Sequence, residues 1–337
     1  MRAAVLESNG RIVCREADRP SPGPGSVLVK VAYCGICGSD IPRVYDNTAR
    51  YYPIILGHEF SGTIEELGEG VDGIEVGSKA VGVPLIPCMR CDDCRNGNYS
   101  ACRDYSFIGS RRNGAMAEYV EVPKENIIVL PDGFDLRAAA MIEPATVAYH
   151  ALLMCGDIKG KDVAVIGCGI IGIFTIILAK VMGAGHVTAI GRGIEGLDAA
   201  EIAGADQVIT SDGCTDRSFG LVIECSGSDA TMHKAIEIAG VRGTVCYIGT
   251  PKKEITFTVR QWEQINRKEC TVKGSWMSYS GDFPGREWKD IIRMMDDGKI
   301  ELSRISCYSI ESLEKVNDIF EDIHTGITKG RKLLEIR

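Results

Sequence analysis

Near the start of the chain three side chains could bind one metal: the thiol of Cys37, the imidazole of His58 and the carboxylate of Glu59. Three unlike donors with no fourth close by describe an incomplete shell. Zinc sites that do chemistry are built this way, because the open position must hold water or substrate. Ser39, two residues past Cys37, adds a hydroxyl that could pass a proton. The plainer alternative is a buried cysteine and a satisfied core histidine. The apolar run Ile54-Ile55-Leu56 before Gly57-His58-Glu59, and the glycine-containing turn before Cys37, favour the catalytic metal.

A second metal set has a different character. Cys88, Cys91, Cys94 and Cys102 fall within fifteen residues. Two-residue spacers let the chain wrap sulfurs about 2.3 Å from one ion, the closed shell of a structural zinc. The residues between them (Asp92, Asp93, Arg95, Asn96, Asn98) offer no local core, so the metal must hold this lobe together. A redox pair would need only two cysteines and a helix after them. Of the 14 cysteines, Cys37 and these four are assigned to metal, and the remaining nine are read as packing residues.

A third constellation is Gly167-Cys-Gly169-Ile170-Ile171-Gly172, which follows the β-branched run at residues 163–166 and opens an apolar helix. In this strand–turn–helix setting the first glycine permits the tight turn and the second lets a pyrophosphate approach backbone N–H groups. The third lets the helix pack close to the strand. The motif is that of a dinucleotide-binding unit. It also explains the nearly unbroken apolar stretch at residues 163–179, which approaches the length of a membrane span but reads as buried strand, turn and helix.

The elements that must carry these groups fall into two patterns. Short strands at residues 3–6 and 27–31, then through residues 61–83 between Gly68, Gly70, Gly73 and Gly77, predict a mostly antiparallel β domain. From Lys161 onward strands alternate with helices: strands at 186–190, 207–210, 221–226 and 244–249, and a helix at 195–203. That alternation predicts a doubly wound parallel sheet. The connection at residues 211–219 is too short for a full helix. Helices at 286–296 and 313–323 and a strand at 332–336 would return the chain to the first domain. The expected division is 1–145 with 283–337, and 146–282.

At 337 residues, with 25% charged and 45% hydrophobic residues, the chain reads as an ordinary soluble protein of roughly two domains. A net charge of −8 argues against nucleic acid or an anionic membrane as partner. The start, MRAAVLESNG, lacks the apolar core of a signal peptide, so a reducing cytoplasm is the expected location.

Gly35-Ile-Cys37-Gly-Ser39-Asp40 followed by Gly57-His58-Glu59 resembles the zinc-dependent medium-chain alcohol dehydrogenase family, and the likeness runs through the whole chain. The resemblance implies a GroES-like catalytic domain beside a Rossmann domain, one catalytic and one structural zinc, and NAD or NADP as cofactor. It implies that Glu143, heading the helix after Met141, completes the catalytic shell directly or through water. Glu59 then alternates with it or stands behind it. Several stretches (CGSDIPR, YYPIILGHEFSG, FIGSRR, GSWMSYS) are similar to the branch that acts on phosphorylated galactitol. That likeness implies the interconversion of a polyol phosphate and the matching ketose phosphate. The candidates to hold substrate are Arg43, Tyr51, Arg111, Arg112 and Trp276, with Tyr52 beside Tyr51. Most paired arginines face solvent, and aromatics commonly pack in cores. A homodimer or homotetramer is expected. Rival readings are an unphosphorylated polyol or simple alcohol as substrate, and a non-enzymatic protein that binds zinc or NADPH.

Two departures from the family pattern bear on function. Many relatives place a proton-relay histidine where Pro42 stands, so the proton must leave Ser39 by another route. The acid that usually pairs with the adenosine ribose is replaced by Gly191, with Arg192 next. A carboxylate there would repel a 2′-phosphate, and a glycine with an arginine would admit one, which favours NADP. Alternatively Arg192 is a solvated residue at a helix start and Glu195 supplies the missing acid.

Overall fold

The structure, a computed structural model, describes residues 1–213, 217–327 and 330–336. The chain divides into two compact units. The first comprises Met1–Glu143, Tyr279–Asp296 and Tyr308–Arg337, and the second Pro144–Ser278 and Asp297–Cys307. The short segment Asp297–Cys307 goes with the second unit.

The first unit is organised on one strand, Ser26–Gly35, in which Val27, Leu28, Val29 and Val31 are buried and only Lys30 is exposed. It is the middle of a seven-stranded sheet and pairs antiparallel with Glu59–Leu67, Tyr119–Pro123 and Arg331–Glu335. The register decides what meets at its end. Gly35 stands opposite Glu59 on one side and opposite Leu333 on the other. Cys37 lies two residues beyond. The site residues are thus gathered by sheet pairing rather than by a continuous loop. Among the named strands of this sheet only Tyr308–Ser312 and Arg331–Glu335 pair in parallel. The β-rich expectation holds, although the strand Arg11–Glu16, paired with Arg2–Ser8, was not legible in the sequence.

The second unit is a six-stranded parallel sheet in the order Gln207–Thr210, His186–Gly191, Asp162–Ile166, Phe219–Glu224, Ala239–Tyr247, Thr271–Gly274. The order reverses at Asp162–Ile166, and ligands of such sheets bind in the crevice at the reversal. The helix Ile170–Val181 buries eight residues from Gly172 to Ala179. Its apolarity is thereby used up inside the unit. No helix among the described residues is long and apolar enough to cross a membrane. Residues 214–216 of the short connection before Phe219 lie outside the described residues. Sequence periodicity did not show the last strand, Thr271–Gly274, or the helix Val259–Arg267 before it. That helix buries none of its residues, so no apolar face announced it.

Candidate active site

The turn into His58 needs Gly57, whose φ of +97° is left-handed and whose Cβ would meet Cys34 Sγ at 2.7 Å. The turn delivers His58 and Glu59 to the end of Ser26–Gly35, where Cys37 waits. The donor atoms of Cys37, His58 and Glu59 all lie within 4.8 Å of one another. His58 is 4% exposed and Glu59 1%. His58 Nε2 and Glu59 Oε1 are 3.9 Å apart, too far for a hydrogen bond and somewhat wider than the roughly 3.4 Å edge of a zinc tetrahedron with nitrogen and oxygen ligands. Burial lowers the pKa of His58, offset in part by Asp40 and Glu143, so the imidazole is neutral and able to bind metal. Burial raises that of Cys37, with Asp40 adding to it and Arg331 opposing. A buried thiol beside carboxyls loses its proton most readily when a cation binds the sulfur, and this donor set fits zinc.

Glu143, in the first turn of Ile142–Met154, is half-buried and within electrostatic reach of His58 and Cys37. Its pKa is raised by desolvation, with His58 opposing. The mutually close set contains Glu59 and not Glu143.

Two supporting residues surround this set. Asp40 is completely buried and accepts the Cys37 N–H at 3.1 Å and Arg43 Nη1 at 2.8 Å. Its Oδ1 lies 3.7 Å from His58 Nδ1, which has no hydrogen-bond partner. A carboxylate on that side leaves Nε2 as the ligand nitrogen. Arg331, buried and on the last strand, forms an ion pair with Glu59 Oε2. Glu59 therefore turns one oxygen to a cationic side chain and the other to His58. Asp40 was visible as part of a motif. Arg331 was missed, because nothing near it in sequence signals that Leu333 will pair with Gly35.

Ser39 is exposed, and its Oγ accepts Arg43 Nη1 at 3.0 Å, while the Ser39 carbonyl accepts the same nitrogen at 2.9 Å. Arg43 is thus tied to the Ser39–Asp40 corner of the site. Its neighbours in the candidate list are not. Arg111 lies 3.6 Å over the Tyr105 ring and donates to the Tyr105 carbonyl. Arg112 pairs with Glu121 at 3.0 Å and, with Tyr51, lines a pocket of about 300 Å³. The Tyr52 hydroxyl donates to Asn47. Trp276, in the second unit, is 58% exposed.

The four-cysteine lobe is a closed set, its sulfurs all within 4.8 Å of one another. Two pairs, Cys88–Cys94 and Cys91–Cys102, are 4.0 Å apart, near the roughly 3.8 Å edge of a zinc–sulfur tetrahedron. N–H groups of Arg90 and Cys91 bring the Cys88 thiol down to about 6, and burial pushes Cys94 up to about 12. In the nucleotide turn Gly167 has φ +102° and its N–H bonds to the Ile190 carbonyl at 2.8 Å. Gly169 caps the helix that Ile170, Ile171 and Gly172 begin. A side chain at Gly172 would collide with the Gly167 carbonyl. The free N–H groups of that first turn suit a phosphate.

Residues 23–132 match the alcohol dehydrogenase GroES-like domain, and residues 171–296 the zinc-binding dehydrogenase family. Galactitol 1-phosphate 5-dehydrogenase of Escherichia coli K12 is 38% identical over 99% of both chains. The chain belongs to the zinc-binding medium-chain alcohol dehydrogenases. D-xylulose reductase A of Aspergillus niger is 31% identical over 98% of this chain and 95% of its own. The crystal structure of galactitol-1-phosphate dehydrogenase from Escherichia coli has a TM-score of 0.94 at 36% identity, covering 99% of this chain and 100% of that one. Membership makes the protein an oxidoreductase acting on CH–OH groups of small molecules, with zinc and a nicotinamide cofactor.

Proposed function

We propose that the protein interconverts a secondary alcohol of a polyol phosphate and the matching ketose phosphate, with NADP as the preferred cofactor. The observation that carries the chemistry is the open set of Cys37, His58 and Glu59 with the Ser39 hydroxyl beside it. Cys37, His58 and a carboxylate from Glu59 or Glu143 would hold the catalytic zinc, and Cys88, Cys91, Cys94 and Cys102 a structural one. When bound, zinc polarises the substrate C–O bond and the nicotinamide exchanges a hydride. The chain's own residues handle the proton. Arg43 occupies one lone pair of Ser39 Oγ, which leaves the hydroxyl proton directed away from the guanidinium and able to be given to a substrate oxygen. Pro42 offers no relay behind it, so exchange proceeds from exposed Ser39 to water.

The 38% relative supports phosphate as the substrate's anchor. Of the candidate arginines, Arg43 is the one tied to Ser39, and its remaining N–H groups form the fork that suits a phosphate. Gly191 and Arg192 support NADP. Gly167, Gly169 and Gly172 with the N–H groups of Ile170 and Ile171 would cradle the pyrophosphate. The cytoplasm and a homodimer or homotetramer complete the reading, with 1–145 and most of 283–337 as the catalytic domain and 146–282 as the Rossmann domain. A specific observation favours a second substrate class. Arg111 and Arg112 are both engaged, by Tyr105 and Glu121, so an unphosphorylated polyol, as for the D-xylulose reductase relative, is the alternative. The test is kcat/KM on a panel of polyol phosphates and free polyols with both cofactors. Free galactitol or sorbitol being oxidised as well as the phosphate esters removes the phosphate reading.

A further inference from the structure

The end of strand His186–Gly191 is packed against the nucleotide turn more tightly than a side chain would allow. A Cβ built on Gly191 would lie 2.6 Å from Cys168 Sγ and 3.4 Å from both Cys168 Cβ and Leu197 Cδ2. One built on Gly196, in the next helix, would lie 3.3 Å from Cys168 Cβ. Strand and helix thus both approach Cys168 through a glycine. Gly191 cannot simply back away, because its carbonyl accepts the Ser211 N–H at 2.8 Å on the far side. An acid at 191 would have to drive its Cβ into the thiol. Either the carboxylate is turned aside, or the Cys168 thiol must rotate away from position 191.

We propose that Cys168 is a specificity-determining residue: its thiol keeps position 191 a glycine, and so keeps the adenosine-ribose end of the cofactor site free of a carboxylate and open to a 2′-phosphate. The proposal rests on the NADP reading above and names the side chain that enforces it. Arg192, exposed and next in the chain, is then the first charge a ribose substituent meets after the strand.

The test is a double-mutant cycle on the full chain with Cys168→Ala, Gly191→Asp and the pair. Titration calorimetry with 2′,5′-ADP and 5′-AMP reads the adenosine end without turnover, and NADP and NAD are titrated alongside. The natural protein should bind 2′,5′-ADP at least tenfold tighter than 5′-AMP. Gly191→Asp alone should weaken both ligands. Adding Cys168→Ala should then raise affinity for 5′-AMP and NAD tenfold or more over Gly191→Asp alone, and leave 2′,5′-ADP weak. Because the acid could disturb folding, Gly191→Ala with and without Cys168→Ala gives a steric control. Its melting temperature should fall by several degrees in the natural background and by little beside Cys168→Ala. Additive effects in both cycles would overturn the role of Cys168. A natural preference for 5′-AMP would instead overturn the NADP reading, and the control cycle would still decide the steric coupling.

Discussion

The two candidate metal sites of the first unit are assembled in opposite ways. The four-cysteine lobe draws all its donors from fifteen consecutive residues, and only Cys94 and Cys102 among them are buried. The open site draws Cys37, His58, Glu59, Asp40, Glu143 and Arg331 from separated elements, and sheet pairing brings most of them together. In the lobe the metal would organise the chain. At the open site the chain organises the donors before any metal arrives. That distinction predicts opposite consequences when each region is damaged.

Removing one ligand from each region should separate the two most sharply. Cys37→Ser is expected to lower kcat/KM by a factor of about 1,000 or more, roughly 4 kcal/mol, with the melting temperature nearly unchanged. Cys91→Ser should lower the melting temperature by roughly 10 °C through loss of the metal that holds the lobe. Metal content and scanning calorimetry on the two variants check this. Equal stability losses would break the contrast.

Next in size is the buried ion pair. Arg331→Met leaves Glu59, 1% exposed, without its counter-ion, and breaking such a pair costs about 3–5 kcal/mol. The double variant Arg331→Met with Glu59→Gln should recover much of that loss in denaturant unfolding. If the single variant is as stable as the natural protein, preorganisation of the open site by Arg331 is refuted.

A smaller effect concerns pH. Burial raises the pKa of the Cys37 thiol, so it holds a proton that a metal must displace. A proton competing with metal makes affinity fall as pH falls. Zinc affinity at the open site should drop about tenfold per pH unit for each proton released. Calorimetric titration of zinc into metal-free Cys91→Ser, in buffers of different ionisation enthalpy, counts those protons. Zinc binding in the lobe should release protons as well, since burial pushes the Cys94 thiol up to about 12 while backbone N–H groups bring Cys88 down to about 6.

The smallest expected effect sharpens the claim about the lobe. Arg90 and Asp104 form an ion pair at its surface, with side chains 77% and 71% exposed. Arg90→Ala should change stability by less than about 0.5 kcal/mol. A larger loss would mean that side-chain pairing, and not metal, supports this segment.

Legibility in the sequence follows the same contrast. Cys88 to Cys102 could be read completely, because two-residue spacers are a local signal. Gly167, Gly169 and Gly172 could be read for the same reason, each doing its work within one turn. Cys37, His58 and Ser39 were legible as donors, but their geometry was not. That Glu59 meets Cys37 and His58 depends on the register of Gly35 against Glu59, a long-range fact with no local trace. Arg331 was illegible because its partner lies more than 270 residues away, at Glu59. The packing of Cys168 on Gly191 was hidden too: the sequence showed a missing acid, and only the structure shows what fills its place.

The reach of the strand Arg331–Glu335 also bears on how the protein is made. Leu333 pairs with Gly35, and residues between them include the whole second unit. During synthesis the second unit can fold on emerging, at the usual pace of about 5–20 residues per second. The first unit cannot close its central sheet until residues 331–335 have left the ribosome. For that interval the edge of Ser26–Gly35 stays unpaired where the last strand will sit, and Glu59 lacks its cation. The nascent chain would be most exposed to chaperones and to stray strand pairing in this window, and a chain held on the ribosome with only the residues before Arg331 outside the tunnel should show a folded second unit beside an unfinished first.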